Sequence, residues 1–74
     1  MGNLISQLIQ KRQETGETQE QFAARIGIAQ QMWSFVESGQ RGLGTETLAK
    51  ILNVWPDMEV DVLNYIREHR GNGD

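Results

Sequence analysis

Apolar residues recur along this chain in short groups at three- and four-residue spacing, with polar residues between them. That period belongs to helices buried on one side. Leu4, Ile5, Leu8 and Ile9 predict a first helix over about 4–15, with Asn3 as its cap. Arg12 lies one turn further along the same side, and Gly16 ends the helix. Thr18 followed three residues later by Gln21 has the spacing of a capping box. Phe22, Ala23 and Ile26 then give a second helix one apolar side, and Gly27 stops it. Ile28 plugs the corner and a third helix starts near Ala29. Its apolar positions Trp33 and Val36 leave Gln30, Gln31, Ser34 and Phe35 facing outward, and Ser38-Gly39 ends it.

Beyond a Gly42-Leu43-Gly44 loop, Thr45 is the expected cap of a fourth helix reaching Trp55, with Leu48, Ile51, Leu52 and Trp55 inward. Pro56 ends that helix. Asp57 is the expected cap of a fifth helix through about Arg70, with Met58, Val62, Leu63 and Ile66 as its apolar face. The alternation Met58-Glu59-Val60-Asp61-Val62 also reads as a strand, and β-branched residues favour one. The helix is the preferred reading. Two helices of about eight residues around Gly27 do not stand alone in water, so the flanking segments must cover them. The expected fold is therefore all-α: a compact bundle of about five short helices in one domain over 1–70, followed by a disordered tail over 71–74. By itself the corner at Gly27 is only an αα-hairpin.

The stretch from Thr18 to Arg41 resembles the helix-turn-helix of the phage repressor and Cro family, the XRE type. The resemblance rests on Thr18-Gln19, Ala23, Gly27, Ile28, Ala29, Ser34, Val36, Glu37, Gly39 and Arg41, and continues through Leu48, Ile51, Leu52 and Trp55. It implies a lambda-repressor-like domain with a central helix-turn-helix. Three positions depart from the pattern. Glu17 stands where an aliphatic residue is common, which should loosen the entrance to the second helix. Ala29 stands where Ser or Thr often caps the recognition helix, at a cost of about 1 kcal/mol. Trp33 replaces a medium aliphatic and is expected to fill the core, with Ala23 and Ala24 making room.

Charge bears on this expectation. The net charge is −3 and the sequence pI about 5.0, whereas DNA-binding domains are usually basic. The excess is localised: bases and acids balance over residues 1–53, and Asp57, Glu59, Asp61, Glu68 and Asp74 outweigh Arg67 and Arg70 beyond. A neutral reader with an acidic end is compatible with DNA, with weak non-specific affinity and reliance on dimerisation. Length and composition remove other classes. The 74 residues suffice for one small domain, cysteine is absent, and the single histidine, His69, is expected to be solvated in the last turn. No metal site, cofactor, nucleophile–base pair or small-molecule substrate is implied, so an enzyme is not expected. No apolar run is long enough to span a membrane, and a cytoplasmic location is expected. Met1-Gly2-Asn3-Leu4-Ile5-Ser6 fits the short N-myristoylation pattern, which is degenerate enough for coincidence to be the better reading.

The resemblance implies roles for particular residues. Gln30 and Gln31 open the recognition helix and are the base-reading candidates, because glutamine pairs bidentately with adenine. Ser34 and Phe35 lie further along the same side; Phe35 meets thymine methyls, packs on loop 42–44, or meets a partner chain. Thr18, Gln19, Arg41 and Lys50 are the phosphate candidates. Arg12 and Glu37 stand where the family places a structural ion pair. Apart from the resemblance, the chain past Pro56 carries more apolar residues than a bare tail needs, which makes Met58, Val62, Tyr65 and Ile66 the dimer-contact candidates. The implied function is a sequence-specific transcriptional regulator, a repressor binding a pseudo-palindromic operator in double-stranded DNA as a homodimer. The alternative is a protein-interaction module, antitoxin-like, that keeps the scaffold and binds a protein partner through its acidic end.

Overall fold

A computed structural model describes residues 3–69. Five α-helices run in order: α1 Leu4–Thr15, α2 Gln19–Ile26, α3 Gln30–Glu37, α4 Thr45–Val54 and α5 Glu59–His69. A single 3-10 turn, Pro56–Met58, joins the last two. The expected all-α bundle is the observed fold, and the described residues contain no strand.

Local chemistry sets most boundaries. The Asn3 side chain accepts from the Ser6 amide at 2.7 Å and starts α1. The Thr18–Gln21 capping box is complete in both directions, which starts α2. Gly27 leaves α2 at φ 100°, a left-handed conformation that would strain any residue with a Cβ. Ala29 takes the cap position of α3 in extended conformation and offers its amides no side-chain acceptor.

α2 packs on both α3 and α4, while α1 and α5 close the other side against α3, α4 and each other. Leu8, Phe22, Trp33, Val36 and Ile51 are the large side chains with essentially no solvent contact. Phe22 lies between two indoles, with ring centroids 4.9 Å from Trp33 and 5.5 Å from Trp55. Trp33 fills the core as its spacing suggests. Ala23 is buried in the same core, but Ala24 is exposed and makes no room for it.

Several details differ from the sequence expectation. Gly44, not Thr45, is the cap of α4; Thr45 is the first helical residue. Asp57 caps nothing, because Pro56 begins the 3-10 turn and the Met58 amide returns to the Trp55 carbonyl at 3.0 Å. The inward residues here are Met58, at the end of the 3-10 turn, and Val62 and Tyr65 on α5, spaced four and three apart, whereas Leu63 and Ile66 are exposed. Adjacent residues on a helix lie about 100° apart, so Val62 and Leu63 cannot both centre the buried stripe. The dimer candidates are corrected accordingly. Met58, Val62 and Tyr65 belong to the core of the single chain, and only Ile66 of that set is exposed. Glu17 makes polar contacts at the entrance to α2 in place of the apolar packing an aliphatic residue would give. Its carboxylate pairs with Arg25 at 3.1 Å and accepts from the Thr15 hydroxyl at 2.7 Å. The expected tail over 71–74, the end of α5 at Arg70 and the start of the Met1-Gly2 pattern lie outside the described residues.

Candidate nucleic-acid interface

The helix-turn-helix corner is α2, the Gly27–Ala29 turn and α3. One carboxylate ties α1 and the start of α2 to the end of α3. Glu37, at the end of α3, receives four hydrogen bonds, two on each oxygen. Arg12 donates Nε to Oε2 at 2.6 Å and Nη2 to Oε1 at 3.1 Å, a bidentate fork. Gln19 donates Nε2 to Oε1 at 3.0 Å, and Trp33 donates its indole N–H to Oε2 at 2.6 Å. The Arg12 and Glu37 side chains keep only 19% and 11% of their surface. Burial alone would raise the Glu37 carboxyl. The hydrogen bonds from Arg12, Gln19 and Trp33, with the Arg12 charge, outweigh it and hold the group below the ordinary glutamate value. Arg12 also donates Nη1 to the Glu17 carbonyl at 3.0 Å, so one guanidinium joins α1, the α1–α2 link and α3.

The Trp33 bond was not part of the sequence reading, although a signal for it was present. Trp33 and Glu37 are four apart on one helix, a spacing that places side chains over one another.

Around this hub the candidate DNA residues occupy different settings. Gln30 and Gln31 are exposed on the first turn of α3. Ser34 and Phe35 are half-buried, so Phe35 is less outward than its position on the helix suggests. Thr18 is exposed, and its hydroxyl already accepts from the Gln21 amide at 3.1 Å. Gln19 is half-buried and spends one amide hydrogen on Glu37, which leaves the second for another acceptor. Lys50 reaches from α4 to the carbonyl of Gly27 at 3.0 Å, where it meets the negative end of α2. Arg41 is exposed in the loop after α3. Its amide and that of Gln40 both return to the Phe35 carbonyl, at 3.3 and 2.9 Å. Gln30 and Gln31 thus sit at one end of α3, while Gln19 is tied to the other end, roughly 9 Å along the axis at the usual helical rise.

Among the described residues no group of His, Cys, Asp and Glu side chains is arranged to hold a metal ion. No described helix is long and apolar enough to cross a membrane. A family model described as helix-turn-helix matches residues 8–54, from within α1 to the last residue of α4. No curated protein and no solved structure gives a significant match.

Proposed function

Since this chain belongs to the XRE-type helix-turn-helix family of DNA-binding regulators, we propose that it is a sequence-specific repressor, acting as a homodimer on a pseudo-palindromic operator in the cytoplasm. The observation that carries the reading is the first turn of α3, where Gln30 and Gln31 are both exposed on a helix locked in place through Glu37. Such a turn entering the major groove presents two amides to base edges, and adenine N6 and N7 match a glutamine bidentately. Gln19 and Arg41 hold phosphates, and these contacts set register without reading sequence. Lys50 serves the corner first, through the Gly27 carbonyl, and acts on DNA only through its remaining charge.

Dimerisation is assigned to the outer face of α5. Val60, Leu63 and Ile66 recur every three residues there and are 67%, 47% and 42% exposed. On this reading repression follows from occupancy of the operator. The acidic end of the chain and the same apolar face favour a second reading, a module that binds a protein partner instead of DNA. Selection of binding sites from random duplexes at several salt concentrations decides between them. A two-fold-symmetric consensus supports the repressor, and no enrichment at low salt removes it.

A further inference from the structure

The loop between α3 and α4 is built to be loose. Three of the seven residues over 38–44 are glycine, and Gly39 sits at φ 83°. Glycine-rich segments lose the most conformational freedom when ordered, so such a loop holds one shape only if something anchors it. At its start the anchor is the Phe35 carbonyl, which takes the Gln40 and Arg41 amides. At its far end the anchor comes from a different part of the chain. The Leu43 amide donates to the Tyr65 hydroxyl of α5 at 2.8 Å, in a buried setting where the two residues are 8% and 6% exposed. Gly42 is fitted to the same hydroxyl: a Cβ there would lie 2.8 Å from Tyr65 Oη. Arg41 therefore stands between two fixed points.

We infer that Tyr65 is a positioning residue for DNA binding, its hydroxyl holding the 39–44 loop so that Arg41 meets a phosphate. The inference rests on the DNA-binding reading above. It also gives α5 two sides with separate duties. The outer face carries Val60, Leu63 and Ile66, while the inner face fixes the loop that follows the recognition helix. Tyr65→Phe keeps the ring in the core and removes only the acceptor, leaving the Leu43 amide buried and unpaired.

The test has two readouts. In the free protein, hydrogen exchange at the Leu43 amide should accelerate about tenfold in Tyr65→Phe relative to amides of α2. On duplex DNA, Tyr65→Phe should bind matched and altered sites about three- to tenfold more weakly alike. It should also lower the salt dependence by up to about one counterion per subunit. Arg41→Ala combined with Tyr65→Phe should then be no weaker than Arg41→Ala alone. Gly42→Ala provides a second route, since its methyl displaces the hydroxyl; adding Tyr65→Phe to it should cost nothing further. Unchanged Leu43 exchange overturns the anchor itself. Faster exchange with wild-type affinity and salt slope overturns its role in DNA binding. Wild-type protein that binds no duplex at all overturns the underlying DNA reading, a failure visible before any variant is made.

Discussion

Glu37 gathers four side-chain hydrogen bonds from α1, α2 and its own helix. Glu37→Gln leaves the Arg12 guanidinium half-buried without its counter-charge, and about 3–5 kcal/mol should be lost in urea unfolding. Trp33→Phe keeps an aromatic ring in the core and deletes one donor to a charged acceptor, for about 1.5–3 kcal/mol. The acid limb of stability has a sign that follows from the same carboxylate. Its folded-state pKa lies below the ordinary value of 4.5, so its stabilisation is present above that value and is lost as pH falls through the folded pKa. Glu37→Gln should therefore show a shallower fall in stability below about pH 4.5 than wild type, measured by urea midpoints across the acid range. At this scale legibility was uneven. The Arg12–Glu37 pairing could be read from the family resemblance, and the sequence spacing of Trp33 and Glu37 held an unused clue. Lys50 is legible as a phosphate candidate, but its bond to the corner is not. Its partner is a backbone carbonyl 23 residues away, and no side-chain pattern marks it.

The elements were legible where a cap or a glycine punctuates the apolar period. Asn3, the Thr18–Gln21 box, Gly16 and Gly27 mark the ends of α1 and α2 at the expected positions. Beyond Gly44 the signals conflict. Val60 and Val62 favour a strand by type and by alternation, yet Met58, Val62 and Tyr65 bury at helical spacing. Packing against α1 and α4 overrides the local preference there. The sequence pattern puts Leu63 and Ile66 on the inner face and offers Tyr65 as a dimer contact, so it does not reveal the loop anchor that Tyr65 forms from inside the core. The weak point among the elements is the start of α3. Ala29 has extended geometry and no capping oxygen, so Ala29→Ser should stabilise the domain by about 0.5–2 kcal/mol in thermal or urea unfolding. The added hydroxyl stands at the end of α3 expected to approach DNA, and duplex affinity should rise with it.

For the molecule as a whole, the charge and the exposed face of α5 bear on the proposed homodimer. A chain of net charge −3 gains little from non-specific attraction to DNA, so two coupled half-sites are the natural source of affinity. Val60, Leu63 and Ile66 offer the apolar face for that coupling. Leu63→Glu should leave the fold intact, because the side chain is outside the core, and should shift the mass in sedimentation from dimer to monomer. A wild-type protein that sediments as a monomer at high concentration would remove the assembly from the account. The central claim, that α3 reads bases, has its most direct measurement in Gln31→Ala. Affinities for wild type and variant are compared on the selected duplex and on one altered at the contacted base pair. A base-reading Gln31 predicts a loss of about 1–3 kcal/mol on the selected site and a clearly smaller loss on the altered one. An equal loss on both duplexes, or none on either, would contradict it.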